Sequence, residues 1–98
     1  NKNKVQIYIV SLGEKTRATV IKLAQDLRNQ SLNTEFDLLR RSLKAQLKEA
    51  NKMNVKYAII IGDKELESNQ LEVKDFLTGN QQKVELNKII EHMNSLSF

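Results

Sequence analysis

The chain has 98 residues and contains no cysteine, no proline and no tryptophan; it has three glycines and one histidine. Without cysteine, disulfides and thiolate metal sites are excluded, which fits a cytoplasmic setting. His92 is the only imidazole, so a His-rich metal centre is excluded, and a lone histidine in the final helix reads as a surface residue and not as a ligand or base. Asp63, Glu65 and Glu67 are the nearest approach to a carboxylate ligand set. They lack the glycine and the closing glutamate of a calcium loop, so they read as turn and cap residues. Long apolar runs are missing too. The longest, Tyr57 to Ile61, has five residues, far short of the roughly 20 that a membrane-spanning helix needs. No signal-peptide pattern precedes the first strand-like segment, and a chain opening on Asn1 is expected to be part of something longer.

What is abundant is positive charge, and it is unevenly placed. The chain carries 16 Lys and Arg against 12 Asp and Glu, a net +4. Six of those bases (Arg40, Arg41, Lys44, Lys48, Lys52 and Lys56) fall in one stretch whose only acid is Glu49. That stretch alone holds a net +5. Clustering of this kind points to a polyanionic partner, whereas dispersed charge would point only to solubility.

Hydrophobic periodicity gives the order of elements. Val5 to Val10 is β-branched and aromatic, a buried first strand ended by Ser11-Leu12-Gly13. From Glu14 to Asn29, Val20, Leu23, Ala24 and Leu27 recur at helical spacing. Thr34 to Leu38 alternates as a short second strand. Ser42 can cap a helix reaching about Met53, with Leu43, Leu47 and Ala50 inward and Lys44, Lys48 and Lys52 on the opposite face. Tyr57 to Gly62 is the most apolar run and the natural central strand. Asp63 to Glu67 reads as a polar turn or a single helical turn. Leu71 to Phe76 and Gln82 to Leu86 form a hairpin around Thr78-Gly79-Asn80. A last helix carries Leu86, Ile89, Ile90 and Met93.

This order predicts a three-layer α/β/α domain over residues 1–98. Its mixed five-stranded sheet has three parallel strands plus an antiparallel hairpin, and it is joined by three helices. Right-handed crossovers place the first strand between the second and third. The loop after the first strand ends in Gly13-Glu14-Lys15-Thr16 but lacks the upstream glycine and Gly-Lys adjacency of a phosphate loop. The basic segment is the better binding candidate. Arg40 and Arg41 stand where a strand hands over to a helix, at the carboxyl edge of the sheet, where backbone N–H groups and guanidinium groups converge on phosphate. For Lys48, Lys52 and Lys56 a merely solvated helix face is an equal alternative. Of the five aromatics, Tyr8, Phe36 and Tyr57 are expected in the core, and Phe76 is expected to be partly exposed.

The run Asp37-Leu38-Leu39-Arg40-Arg41-Ser42-Leu43-Lys44-Ala45-Gln46-Leu47-Lys48 resembles the strand-to-helix signature of the C-terminal domain of histidyl-tRNA synthetases. Tyr57-Ala58-Ile59-Ile60-Ile61-Gly62-Asp63-Lys64-Glu65-Leu66, Val73-Lys74-Asp75 and Thr78-Gly79-Asn80-Gln81-Gln82 continue the likeness, as does Ile7 to Gly13. The resemblance spans nearly the whole chain. It implies an anticodon-binding domain of a class II aminoacyl-tRNA synthetase, with the tRNA anticodon stem-loop as partner. It also implies a homodimeric cytoplasmic parent that joins histidine to tRNA with ATP. The catalytic motifs are not in this sequence, so the domain alone is expected to be non-catalytic and to hold no cofactor. Arg40, Glu65 and Lys74 would line the anticodon pocket, while Arg41, Lys44 and Lys48 would hold the RNA backbone. Ser11 stands where the family usually has proline, Arg40 where glycine is common, and Met53-Asn54 where Leu-Gly closes the helix. A regulatory paralogue in histidine biosynthesis and the equivalent domain of another class II synthetase are the alternatives.

Overall fold

A computed structural model describes residues 4–39 and 41–98. It contains a five-stranded sheet in the order β2-β1-β3-β4-β5. The strands are β1 (Ile7–Leu12), β2 (Thr34–Phe36), β3 (Tyr57–Gly62), β4 (Gln70–Asp75) and β5 (Gln81–Glu85). β1 runs parallel to both β2 and β3, whereas β3–β4 and β4–β5 are antiparallel. Among the described residues there are four α-helices, α1 (Arg17–Asn29), α2 (Leu43–Lys52), α3 (Asp63–Ser68) and α4 (Ile89–Asn94), where the sequence led us to expect three. The extra one is α3. Its six residues carry a single apolar contact residue, Leu66, too little periodicity to register in a sequence.

The three layers follow from strand alternation. Ile7 and Ile9 of β1, with Ile59, Ile61, Leu71 and Val73, face a core closed by Val20, Leu23 and Leu27 of α1 and by Ile89 and Met93 of α4. Tyr8 and Val10, with Ala58 and Ile60, face the other way and are covered by Ala50 and Leu47 of α2. The β1–α1–β2 connection runs one way along the sheet and β2–α2–β3 runs back across β1, so connections of one hand put α1 and α2 on opposite faces. Ser42 caps α2, its hydroxyl accepting from the Ala45 N–H at 3.1 Å. Arg28 ties α1 to β2, donating twice to the Thr34 carbonyl at 3.0 and 2.7 Å while lying over Phe36.

Strand ends differ from the sequence reading in a way that shapes the functional edge. β1 extends to Leu12 because β3 pairs with it as far as Gly62. β2 instead stops at Phe36. The Asp37 carboxylate accepts from the Leu39 N–H at 2.8 Å and turns the chain away. Among the described residues, no strand therefore lies beside the outer edge of β1 beyond Ile9.

Candidate nucleic-acid interface

A side chain completes that edge. Gln46, fully buried on α2, accepts from the Ser11 N–H at 3.1 Å and donates to the Ser11 carbonyl at 2.9 Å. Its carboxamide thus replaces the peptide that a longer β2 would have supplied. The same amide nitrogen donates to the Arg41 carbonyl at 2.7 Å, fixing the entry to α2 against the end of β1. Sequence reading missed Gln46. The signal was a polar residue within the apolar stripe of Leu43, Leu47 and Ala50.

The neighbouring loop is built with similar economy. Gly13 adopts φ +106°, and the space its Cβ would occupy lies 3.1 Å from an Asp63 oxygen. The buried Thr16 donates to the Gly13 carbonyl at 2.7 Å and meets the Ser11 hydroxyl at 2.6 Å. Thr16 is therefore a structural clamp and not a phosphate ligand. Ser11, Gly13, Glu14, Arg17 and Leu38 line a pocket of about 220 Å³ at this carboxyl edge.

Around this edge the expected site residues divide. Arg40 lies outside the described residues. Arg41 is exposed at the start of α2, with one guanidinium nitrogen 3.1 Å from the half-buried carboxylate of Asp37. Lys44 and Lys48 are exposed on α2. Glu65 sits at the carboxyl end of β3, but its carboxylate has local work, accepting from the Gly62 N–H at 2.8 Å to cap α3. Lys74 is the outlier. It pairs in register with Ala58, near the opposite end of β3 from Gly62, about 13 Å away at the usual rise per residue. Arg41, Lys44 and Glu65 thus share one edge of the sheet, and Lys74 does not join Glu65 in one pocket.

Lys74 belongs to a different surface. On the α2 side, β4 and β5 present Glu72, Lys74, Gln81 and Lys83, none of them buried, so no helix among the described residues roofs this part of the sheet. Lys44, Lys48 and Asn51 recur at i, i+4 and i+7 along one flank of α2. Asn51 shares a pocket with Phe76, which places the end of α2 beside the hairpin end of β4. The open face itself sets the cations Lys74 and Lys83 beside the acid Glu72 and the amide Gln81, the kinds of group that single-stranded RNA uses for phosphates and base edges.

A capped helix enters the carboxyl edge of an α/β sheet with exposed cations beside it, and comparison with known proteins gives the family. Residues 6–96 match the model of the anticodon binding domain family, and the chain belongs to that family. Its relatives include the histidine–tRNA ligase of Staphylococcus aureus, 34% identical over 88 residues, covering 90% of this chain and 21% of the ligase. The solved apo histidyl-tRNA synthetase of S. aureus superposes with a TM-score of 0.84 at 33% identity, over 92% of this chain and 23% of that one. The Nostoc sp. PCC 7120 histidyl-tRNA synthetase gives 0.85 at 27%, over 93% and 22%. The RNA binding domain of Cryptosporidium parvum threonyl-tRNA synthetase shares the fold at 0.82 and 19% identity, over 95% and 24%. The chain spans about a fifth of the length of the curated ligases it matches. Among the described residues, no helix is long and apolar enough to cross a membrane.

Proposed function

We propose that this chain recognises the anticodon stem-loop of a histidine tRNA on behalf of a histidyl-tRNA synthetase. The observation that carries the reading is the joining of Arg41, Lys44 and Glu65 at one sheet edge, in a chain of the anticodon binding domain family. Lys44 and Lys48 hold phosphates and set the register of the stem-loop. Arg41 exchanges its half-buried Asp37 partner for an RNA phosphate, and Asp37 keeps its bond from the Leu39 N–H. The free oxygen of Glu65 accepts from a base amino or imino group while its other oxygen caps α3. Arg40, beside Arg41 in sequence, adds a further cation to the same contact. Lys74 serves the open face of β4 and β5, reached by a strand of RNA crossing from the carboxyl edge.

Under the same reading, the parent enzyme ligates histidine to tRNA using ATP, acts in the cytoplasm and works as a homodimer. The names of the relatives and the family resemblance support this. The domain contributes binding and selectivity, and no chemical step. The test is salt dependence. Affinity of the domain for a histidine anticodon stem-loop should fall linearly on a log–log salt plot, and Lys44→Ala should reduce the slope by about one unit for every stem-loop tried. A Lys44→Ala effect confined to one anticodon would contradict a phosphate role.

A further inference from the structure

At the far end of α2, away from the carboxyl edge, the surface has the parts of a nucleobase site. A pocket of about 330 Å³, at the lower end of the ligand-pocket range of about 300–1,000 Å³, opens between the end of α2, the start of β3 and the β4–β5 hairpin. Asn51, Asn54, Lys56, Phe76 and Leu77 contribute to its lining. Phe76 is half-buried, with the Lys74 ammonium 5.7 Å from its ring centroid. Leu77, beside it, is 92% exposed, an unusual place for a large apolar side chain.

The hairpin holds these two side chains in place. The Phe76 N–H donates to the Lys56 carbonyl at 3.0 Å, and the Asp75 carboxylate accepts from the N–H groups of Leu77 and Thr78 at 2.8 and 3.3 Å. Both bonds fall on one oxygen of Asp75, the acid of this pocket, and Lys56 and Lys74 make no salt bridge among the described residues. Asn54 adopts φ 58° where α2 ends, its N–H donating to the Asn51 carbonyl at 3.0 Å. The carboxamides of Asn51 and Asn54 make no hydrogen bond among the described residues.

We propose that this pocket is a second RNA contact that takes one unpaired base of the bound RNA. The base stacks on Phe76 with Leu77 at its edge, the two carboxamides read its hydrogen-bonding edge, and Lys56 and Lys74 take the flanking phosphates. The inference rests on the reading that the chain binds RNA. Magnitudes favour the exchange at Phe76. An ammonium on a ring near the surface is held less strongly than a base stacked on that ring. Lys74 is therefore released to phosphate when the base arrives. Net positive charge around the pocket selects a polyanion over an uncharged apolar protein segment as the occupant of the Leu77 surface.

The experiment is an abasic scan. A histidine anticodon stem-loop is prepared with single abasic positions through its loop and flanks, and each is titrated against the wild-type domain, Phe76→Leu and Asn51→Ala. Thermal melts confirm that Phe76→Leu is folded, and Asn51 lies on an exposed helix flank where alanine is tolerated. Removing one particular base should cost the wild type about ten-fold in affinity, the scale of one lost stack. Phe76→Leu should lose a similar factor on intact RNA and nothing more at that position. Asn51→Ala should change which base is preferred there. If both variants bind intact RNA as the wild type does, the site is not an RNA contact and Leu77 is left as a protein-facing residue; losses spread evenly over every position overturn the proposal as well. Should Lys44→Ala weaken binding while Phe76→Leu does not, this inference alone falls. Failure of the wild type to bind any stem-loop overturns both it and the anticodon reading.

Discussion

Replacing Gln46 with leucine tests whether a side chain really stands in for a strand at the binding edge. Leucine has nearly the same volume and keeps the apolar packing of α2. It cannot make any of the three hydrogen bonds that Gln46 makes to the Ser11 N–H, the Ser11 carbonyl and the Arg41 carbonyl. The two Ser11 groups are buried, and an unsatisfied buried group costs about 1–3 kcal/mol, with carbonyls towards the lower end. The Arg41 carbonyl is only partly buried and can recruit water, so it adds little. A loss of about 3 kcal/mol follows, which for a domain of this size lowers Tm by about 12–24 °C. Urea unfolding followed by circular dichroism should show a reduced midpoint with an unchanged m value. The Ser11 amide should lose its protection from hydrogen exchange before the rest of β1 does. A change below about 1 kcal/mol, with Ser11 still protected, would refute the account of this edge.

Other consequences are open to measurement. The Tyr8 hydroxyl is buried without a hydrogen-bond partner, so Tyr8→Phe should stabilise the domain by about 1 kcal/mol; destabilisation by thermal melt would show that the hydroxyl is satisfied. Burial, followed by the nearby Asp37 charge, raises the Tyr8 pKa above its ordinary 10.0. Because the folded state resists ionisation, its contribution is complete below pH 10 and is lost as pH rises further, so Tyr8→Phe should resist alkaline unfolding better than the wild type. Gly13→Ala forces a side chain into φ +106° against Asp63 and should cost about 1–3 kcal/mol in a denaturant midpoint assay. Glu65→Gln keeps an acceptor for the Gly62 N–H and should leave Tm nearly unchanged, whereas Glu65→Ala loses the cap and about 1 kcal/mol. Equal Tm losses in the two variants would rule out a capping role.

Much of the fold was legible because β1 alternates two full apolar faces and α1 repeats its stripe over three turns. Ile7 and Ile9 against Tyr8 and Val10 announce a strand covered on both sides. Ser42 followed by Leu43 announces the capped start of α2. What could not be read depended on pairing partners that are distant in sequence. Asp37-Leu38 looks like more strand until Asp37 bonds its own backbone. Lys74 looks like a companion of Glu65 until the register sets it opposite Ala58. Gln46 is a polar interruption in a helix until β2 proves too short. The charge cluster was visible at once, and so was its division between Arg40 and Arg41 at the sheet edge and the lysines further along, but the neighbours of Lys56 were not. Arg41 and Lys44 stand at the capped entry, whereas Lys56 lies by Phe76, a neighbour that only packing supplies.

The central claim is that the domain reads an anticodon, and one titration addresses it directly. The domain is added to a histidine anticodon stem-loop and, in parallel, to the same stem-loop with altered anticodon bases, at low and moderate salt. We expect tighter binding to the histidine anticodon at both salt concentrations, with affinity for both RNAs falling as salt rises. Equal affinity for both RNAs would reduce the surface to a non-specific polyanion contact, and no binding at low salt would contradict the account altogether.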